Sequence, residues 1–571
     1  MNWRRNGLLA MLGVLTARWY LSRLLASADG AKGRSMLLTE RMLHACRRRL
    51  RRTKIADSTG AVLTGGALLT RSLVLRRLLR RHVMGPDEQN VGILLPPTCA
   101  AVAANVALTL DRRVTVNLNY TLTSELLNSC IAQAGIRHVL TSRRFMERMP
   151  LQLDAELVYL EDLRDKATPL DKLVGALQGY VLPIPLLTRA LGLHRVKDDD
   201  LLTVVFTSGS TGQPKGAMLT YGNVGSNVEA VDAILHVRPH DVVLGILPFF
   251  HSFGYTITLW AVLMLDVGAV YHVNPLEAKI VGKLSREHRG TILLSTPLFL
   301  RSYLRRGDPA DFATLEVVIT GGEKLPVQLA DEFENVFGIR PIEGYGATET
   351  SPLISANIPP SRAVGDPTMV AREGTVGKPP PGVRVKVIDL VSGEEHATGG
   401  QGMLHVTGPN VMKGYLGQPE ATAAAIRDGW YATGDVGTID AEGFITIVGR
   451  ESRFAKIGGE MVPHGRIEEV LMDLMGPDED GGPRAVVTSI PDPAKGERLV
   501  VIHKALPQSP EGLQRALARA GLPNLYIPSA DSFVQVETLP TTGTGKLDLK
   551  GIRRIAEAAV GSKRDPSGVI S

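Results

Sequence analysis

Residues 201–219 read LLTVVFTSGSTGQPKGAML, and this stretch says most about the architecture of the chain. Its first half is a continuous apolar run that ends at Phe206, a pattern typical of a strand buried on both faces of a sheet. Glycines, hydroxyl side chains and Lys215 follow at once. Glycines let backbone N–H groups converge on one point, and the hydroxyl and ammonium groups add further donors. The segment therefore predicts a polyphosphate-binding loop directly after a buried strand.

This loop is not of the Walker type. Pro214 precedes Lys215 where a Walker loop has glycine. A second candidate, GTGKL at residues 543–547, also departs from that pattern, because Leu547 stands where Ser or Thr is required.

Several other short apolar runs end abruptly in turn residues, and they begin at Val91, Val242, Thr291 and Leu315. Longer stretches of helical composition, such as residues 220–236, lie between them. Continuous apolar runs that alternate with helices predict an α/β fold with mainly parallel sheets. Ligands of such sheets bind at the carboxyl ends of the strands, which here lead into residues 248–251, 321–323 and 343–346.

The segment TSGSTGQPKG resembles the signature of the adenylate-forming (AMP-binding) superfamily, which includes acyl-CoA synthetases. Six further motifs of that superfamily follow in order: LPFFHSFG (247–254), GGEKLP (321–326), GYGATETSP (344–352), YATGDVG (431–437), GRESRFAKIGGEMV (449–462) and LPTTGTGKLD (539–548). The resemblance implies a large multi-subdomain domain over residues 36–449 and a small, mobile α+β domain over residues 450–571. It also implies an ATP- and Mg²⁺-dependent reaction that forms an acyl-adenylate and then transfers the acyl group.

The resemblance also implies roles for individual residues. The catalytic residues would be Lys546, Thr348, Glu349, Lys215 and His251, with Glu349 holding Mg²⁺ and His251 gating the acyl tunnel. The residues that bind ATP or AMP would be Thr207, Ser208, Gly209, Ser210, Thr211, Gly212, Lys215, Gly322, Glu323, Glu343, Gly344, Tyr345, Gly346, Thr348, Asp435, Arg450 and Lys546. Among these, Gly322, Glu323 and residues 343–346 would frame the adenine, and Asp435 with Arg450 would bind the ribose. Ser452 stands at the expected hinge between the two domains, where the family commonly has Asp or Lys.

A narrower likeness concerns the acceptor of the acyl group. Residues 452–471, 522–528 and 541–553 are similar to the acyl-[acyl-carrier-protein] synthetase half of bifunctional 2-acylglycerophosphoethanolamine acyltransferases. This likeness implies that a fatty acid, with a long chain expected, is loaded onto acyl carrier protein and passed to a lysophospholipid. A fatty acyl-CoA ligase stays open, because CoA and carrier protein present the same phosphopantetheine thiol. A catalytically silent, membrane-bound acyl or nucleotide sensor on the same fold is a further alternative.

Positive charge is concentrated at the N-terminus, where residues 1–90 contain 18 Lys and Arg but only 5 Asp and Glu. Residues 1–35 are basic and partly apolar, which fits a helix in a membrane interface, with a packed helix or a frayed tail as the open alternative. We expect a cytoplasmic protein that is peripheral on the inner face of the membrane. The arginine run at residues 47–52 adds to a field that attracts anionic surfaces. No recognition motif supports nucleic-acid binding. The 3 cysteines are too few and too dispersed for a disulfide framework or a zinc site, and we expect them to be buried.

Overall fold

A computed structural model describes residues 37–207, 213–363, 371–458, 460–476, 478, 482–541 and 547–561. The predicted phosphate-loop residues Ser208, Gly209, Ser210, Thr211 and Gly212 lie outside these ranges, as do Lys546 and the N-terminal segment 1–35. Among the described residues, no helix is both long enough and apolar enough to cross a membrane.

The strand predicted before the phosphate loop spans Leu201–Thr207 and lies inside a seven-stranded sheet. In spatial order the strands are Gly414–Tyr415, Lys215–Thr220, Leu201–Thr207, Val114–Asn117, Asn90–Ile93, His138–Thr141 and Glu156–Tyr159. The last five are mutually parallel. At one edge, Lys215–Thr220 pairs antiparallel with Leu201–Thr207, and Gly414–Tyr415 pairs antiparallel with Lys215–Thr220. The predicted strands at Val91 and before Phe206 are thus confirmed.

An eight-stranded sheet contains the other three predicted strands. Its order is Leu353–Ala356, Ile342–Gly346, Val317–Thr320, Ile292–Ser295, Val242–Gly245, Gly268–Tyr271, Thr53–Asp57 and Val62–Thr64. The six central strands are parallel, and only the two edge strands are antiparallel. The mainly parallel architecture predicted from continuous apolar runs is therefore confirmed.

Helices cover both sheets. They are Leu38–Arg48, Gly65–His82, Cys99–Leu110, Ser124–Ala134, Arg143–Met146, Leu160–Asp165, Pro169–Ala176, Ile184–Leu191, Tyr221–Leu235, Val262–Met264, Ala278–His288, Pro297–Arg306, Val327–Phe337 and Pro419–Ala425, with π-helical turns at Leu177–Val181 and Gly254–Ala261. The helix expected at residues 220–236 spans Tyr221–Leu235. Thr220 caps it in a reciprocal pair with Asn223, and His236 ends it in the left-handed region.

A third sheet, which the sequence did not predict, is antiparallel. It comprises Arg384–Ile388, Gly402–Thr407, Trp430–Ile439, Ile426–Arg427 and Ile445–Arg450. Its long strand carries Asp435, so part of the predicted nucleotide site lies outside the parallel sheets.

The chain ends in a smaller domain with mostly antiparallel strands. Its strands are Glu460–Pro463, Phe454–Ile457, Gly496–His503, Ala485–Asp492 and Phe533–Gln535, and its helices are His464–Met475, Pro510–Arg519 and Leu549–Gly561. Buried side chains such as Ile467, Val487 and Val501 pack on one side of the sheet, and Ile502, Leu539 and Ile552 pack on the other. Ser452 lies in the short 3₁₀ turn Glu451–Arg453, which directly precedes the strand Phe454–Ile457. The exact boundary at residues 449–450 stays a prediction.

The basic run after residue 46, which was expected to attract anionic surfaces, is in part buried and structural. Arg49 is buried, donates to Asp266 and makes a further contact with the carbonyl of Pro239. Lys54 is fully enclosed and donates to the carbonyls of Leu265 and Val267. The reason is that these backbone carbonyls lack a strand partner, and buried acceptors are costly to leave unpaired.

One ion pair is fully buried in the large domain. Arg362 and Asp241 have no side-chain exposure, and the guanidinium makes two hydrogen bonds of 3.0 and 2.8 Å to the carboxylate. Glu316 joins at 3.0 Å, so this cluster is occupied by a guanidinium and is not a metal site despite the acids that meet there with His240. The three cysteines are free and buried, as predicted.

Candidate active site

Several predicted site segments meet at the carboxyl edge of the eight-stranded sheet. The strands Val242–Gly245, Val317–Thr320 and Ile342–Gly346 are parallel neighbours or near neighbours there. The segments that follow them are those predicted to contain His251, Glu323 and Thr348. Parallel strands that end at one edge deliver these loops to one place.

Asp435 is the centre of a buried polar cluster. Its carboxylate accepts a hydrogen bond of 2.6 Å from the Tyr345 hydroxyl and lies 2.9 Å from Nε of Arg450. Burial raises the pKa of Asp435, whereas the charge of Arg450 and the Tyr345 hydrogen bond lower it. Each carboxylate oxygen has two acceptor positions, so Asp435 can still accept from the vicinal hydroxyls of a ribose. The structure brings together Asp435 and Arg450, which were predicted to bind the ribose, with Tyr345, which was predicted to frame the adenine.

Two of the glycines predicted to frame the adenine, Gly322 and Gly346, are sterically required. Gly322 has a φ of +86°, a conformation that side chains rarely adopt. A Cβ on Gly346 would lie 2.1 Å from the backbone oxygen of Pro352, closer than any real contact. These positions therefore bring bare backbone to the edge of the sheet, as the face of a planar base requires.

Glu343 was predicted to frame the adenine, but its side chain is bonded to the backbone of a neighbouring loop. Its Oε1 accepts from the backbone N–H of Leu325 at 2.9 Å, and burial raises the pKa of Glu343. The side chain thus ties two predicted adenine-framing segments to each other. Glu323 is exposed at the tip of its loop.

A second buried carboxylate, Glu349, lies in the 3₁₀ turn Thr348–Thr350. The Tyr415 hydroxyl donates a hydrogen bond of 2.8 Å to its Oε1. The ammonium of Lys215 lies 5.2 Å from the centroid of the Tyr415 ring. Ser252 approaches the Thr348 hydroxyl at 3.4 Å. Lys215, Thr348 and Glu349 are therefore gathered as predicted, through a tyrosine that the sequence motifs did not identify.

This donor set fits Mg²⁺ bound together with ATP. Mg²⁺ prefers oxygen ligands and is usually held by one or two carboxylates plus substrate phosphates and water. Tyr415 occupies one carboxylate oxygen of Glu349, which leaves the other for the ion. Lys215 adds a second positive charge close by. The role of Glu349 as metal ligand stays a prediction.

Both ends of the phosphate loop are fixed by pairing between strands. Thr207 ends one strand and Lys215 begins the next, and the two residues face each other across the antiparallel pair. Thr207 is the carboxyl end of a strand that is parallel to its other neighbour in the sheet, Val114–Asn117. The roles of residues 208–212 and of Lys546 stay predictions.

His251 lies at the end of an aromatic row. Its ring is 4.6 Å from that of Phe250, which contacts Tyr120 at 4.8 Å, and Tyr120 in turn contacts Phe145 at 5.3 Å. His251 itself is exposed. A position between solvent and a packed aromatic row is compatible with the predicted gate, which stays a prediction.

Tyr415 and Tyr431 were not found from the sequence. Tyr415 belongs to a two-residue strand and pairs with Ala217. Ala217 lies two residues after Lys215 and about two hundred positions before Tyr415 in the chain. The pKa of Tyr431 is raised by burial and then by the charge of Glu349, which indicates that it too lies beside the carboxylate. Local sequence patterns contain no signal for such long-range pairing.

Comparison with known proteins agrees with this geometry. The family described as AMP-binding enzyme matches residues 43–416, which is more than half of the chain. The chain belongs to the AMP-binding enzyme family. A long-chain-fatty-acid–CoA ligase of Bacillus subtilis is 33% identical over 360 residues, which is 61% of each protein. A feruloyl-CoA synthase of an Amycolatopsis species is 29% identical over 521 residues, 88% of this chain and 97% of that one.

Solved structures of this fold have the same architecture. ATP-bound MatB from Rhodopseudomonas palustris has a TM-score of 0.74 at 23% identity and covers 92% of this chain and 100% of its own. The o-succinylbenzoate CoA synthetase MenE of Bacillus subtilis, in complex with its acyl-adenylate, has a TM-score of 0.75 at 23% identity and covers 90% and 98%. The predicted fold and the prediction of an AMP-forming acid–thiol ligase that uses ATP and Mg²⁺ are confirmed for this family member.

Proposed function

We propose that the protein activates a long-chain fatty acid to acyl-AMP and transfers the acyl group to a phosphopantetheine thiol. The observation that carries this proposal is the assembly of Asp435, Tyr345 and Arg450 beside a second buried carboxylate, Glu349, at the carboxyl edge of a parallel sheet. One cluster suits a ribose and the other suits a metal with phosphates. The fatty acid is proposed because several relatives are named long-chain-fatty-acid–CoA ligases.

In the first step a carboxylate oxygen of the fatty acid attacks the α-phosphorus, and the bond to pyrophosphate breaks. Two anions approach each other, so the barrier is largely electrostatic. Lys215 and Thr348 would supply positive charge and a hydrogen bond to the phosphates, and Lys546 would do so from the small domain. Mg²⁺ held at Glu349 supplies charge neutralisation at the phosphates when bound. Asp435 and Arg450 fix the nucleotide through its ribose.

In the second step the thiol sulfur attacks the acyl carbonyl, and AMP leaves with the bonding electrons. CoA is the acceptor that the names of the relatives favour. Acyl carrier protein is the second candidate, and it rests on the narrower likeness of the small domain described above. Lysophospholipid acylation would follow only with the carrier protein. We place the protein in the cytoplasm, peripheral on the inner face of the membrane, because of the composition of its N-terminal segment.

Acid-dependent ATP–pyrophosphate exchange tests the first step without any assumption about the acceptor. We expect exchange with long-chain acids in a series from C2 to C18, and a loss of at least about 100-fold in Asp435→Asn and Lys546→Ala. Asp428→Asn is the matched control, because Asp428 is exposed in the same antiparallel sheet region with a φ of +50°, which Asn tolerates. Single-turnover transfer to CoA or to holo acyl carrier protein then identifies the acceptor. Absence of exchange with every acid, in folded protein that binds ATP, would refute the proposal and favour the silent sensor.

A further inference from the structure

A chain of hydrogen bonds joins Ser58, His272 and Glu277, none of which belongs to the motifs of the nucleotide site. The Ser58 hydroxyl lies 2.8 Å from Nδ1 of His272, and Nε2 of the same ring lies 2.8 Å from Oε2 of Glu277. A hydroxyl nucleophile, an imidazole base and a carboxylate in this order form the triad of serine hydrolases, which recurs on unrelated folds and is recognised by its geometry. We call these three residues the Ser58 triad.

The fold brings two members of the triad together at the carboxyl edge of the eight-stranded sheet. Ser58 directly follows the strand Thr53–Asp57, and His272 directly follows its parallel neighbour Gly268–Tyr271. The last residues of the two strands are partners in register, so the residues that follow them leave the sheet side by side. This is the edge at which parallel sheets bind ligands.

His272 is enclosed, whereas both of its partners reach solvent. The side chain of His272 is 4% exposed and that of Glu277 is 44% exposed, and Ser58 is half-buried. Burial lowers the pKa of His272, and the hydrogen bond to Glu277 opposes this effect. When Nε2–H donates to the carboxylate, Nδ1 is the nitrogen that can accept the hydroxyl proton of Ser58. Asn274 donates to Oε1 of Glu277 at 3.2 Å, which helps to orient the carboxylate.

The turn that contains Ser58 is held by its backbone. The N–H of Ser58 donates to the carbonyl of Tyr271 at 3.0 Å, and Oδ1 of Asp57 accepts from the N–H groups of Thr59 and Ala61 at 2.9 and 3.3 Å. The hydroxyl is thus presented in a fixed position. Because these N–H groups are already bonded, an oxyanion formed at Ser58 would be stabilised mainly by water. We therefore expect slower hydrolysis than in enzymes with an oxyanion hole, where one donor contributes about 10²–10³-fold.

Exposed apolar side chains lie beside the carboxylate of the triad. Leu276 precedes Glu277, and Ile280 lies in the first turn of the helix that follows it, and both are exposed. Leu298 is exposed on the next helix. Ser302, one helical turn after Leu298, donates to the carbonyl of Leu276 at 3.0 Å, so the two helices meet at this point. These side chains form an apolar surface that suits an acyl chain.

We propose that the Ser58 triad hydrolyses esters or thioesters of an apolar acyl group. Oγ of Ser58 attacks the acyl carbon while Nδ1 of His272 takes the hydroxyl proton. The bond from the acyl carbon to the alcohol or thiol then breaks, and the leaving group receives that proton. Water attacks the acyl-serine with the help of the same base, which releases the acid and restores the hydroxyl. Glu277 stabilises the imidazolium in both steps. The reaction consumes no ATP, so the inference goes beyond the proposed function and does not depend on it.

A fluorophosphonate probe and an ester substrate test this inference on the full-length protein. Wild type should be labelled at Ser58, as located by mass spectrometry, and should hydrolyse p-nitrophenyl octanoate in the absence of ATP. Ser58→Ala should lose the label and at least about 100-fold of the hydrolysis rate, because no nucleophile remains. Glu277→Gln should lower both rates at least about tenfold, since the imidazolium loses its charged partner. Ser361→Ala is the matched control and should behave like wild type, because its exposed hydroxyl donates to the carbonyl of Glu316 and not to a base.

Two further measurements define the acyl group. Ile280→Gln should lower hydrolysis of the octanoate about threefold or more and leave that of p-nitrophenyl acetate unchanged, because only the longer chain reaches the apolar surface. Release of CoA from octanoyl-CoA that depends on Ser58 would assign thioesters as substrates, whereas release of nitrophenol alone would assign oxygen esters.

ATP–pyrophosphate exchange is measured on each variant in parallel. Wild-type exchange in Ser58→Ala would show that the variant is folded and that the two activities are separate. An unlabelled Ser58 in active wild-type protein, or hydrolysis that persists in Ser58→Ala, would overturn the inference and leave the triad as a structural link between two strands. Failure of exchange together with hydrolysis that depends on Ser58 would refute the proposed function and support this inference.

Discussion

Tyr415→Phe removes one oxygen atom from the candidate metal site and leaves the packing of the ring in place. Tyr415 is 8% exposed, and its hydroxyl donates a 2.8 Å hydrogen bond to Glu349, which is 9% exposed. A hydrogen bond to a charged group contributes about 1.5–3 kcal/mol. Groups that orient a metal ligand typically change metal affinity by about 10–100-fold when they are removed. We therefore expect the apparent affinity for Mg²⁺ to fall at least about tenfold, with little change in the KM for the fatty acid.

The assay is ATP–pyrophosphate exchange as a function of free Mg²⁺, together with Mn²⁺ binding followed by electron paramagnetic resonance. Tyr303→Phe is the matched control, because Tyr303 is fully buried and its hydroxyl donates at 2.8 Å to the carbonyl of Pro275. It should lose stability, by about 1 kcal/mol, and keep the wild-type dependence on Mg²⁺. A Tyr415→Phe variant with wild-type Mg²⁺ and Mn²⁺ curves would refute the assignment of Tyr415 as the residue that positions Glu349.

Three further variants test the packing around the site and in the small domain. Arg362→Leu should lower the free energy of urea unfolding by about 3–5 kcal/mol, because it leaves a buried carboxylate without its partner; an unchanged midpoint would contradict this. His464 is 2% exposed and burial lowers its pKa to about 3, so the unfolded chain binds a proton that the folded chain does not. Stability should therefore fall by about 1.4 kcal/mol per pH unit below 6.5, and His464→Leu should flatten this slope relative to wild type. Gly346→Ala should abolish ATP binding measured by calorimetry, because the added methyl would meet backbone at 2.1 Å, whereas Gly225→Ala, whose methyl has room, should bind normally.

The parallel sheets could be predicted because their signal is local. The runs at Val91, Val242 and Thr291 are continuous and short, and only strands covered on both faces have that composition. The helix Tyr221–Leu235 was predicted almost to the residue, since Thr220 offers a side-chain cap. These features depend on neighbours a few positions away.

The rest of the site depends on contacts between distant segments. Asp435 reaches Tyr345 because an antiparallel sheet, absent from the prediction, places its strand against the carboxyl edge of the parallel one. Tyr415 reaches Glu349 through an edge strand of only two residues. A strand of two residues is too short to show a hydrophobic period, so the sequence indicated the ligand chemistry but not the tyrosine that orients Glu349. The partners of Arg49 and Lys54 could not be predicted for the same reason, since the carbonyls that they contact lie more than two hundred residues further along the chain.

The two carboxylates that the proposed reaction needs are both buried, and a tyrosine hydroxyl donates a hydrogen bond to each of them. Burial alone raises the pKa of Asp435 and favours its neutral form. Arg450 and the Tyr345 hydroxyl oppose this effect at Asp435, and the Tyr415 hydroxyl donates a hydrogen bond to Glu349. Burial and the nearby carboxylates raise the pKa of both phenols, so neither can ionise and compete for the positive charge of the site. Each phenol is therefore fixed as a donor, and it orients a carboxylate before a nucleotide or a metal arrives. On this reasoning, replacing either tyrosine should weaken ligand binding more than it weakens the fold.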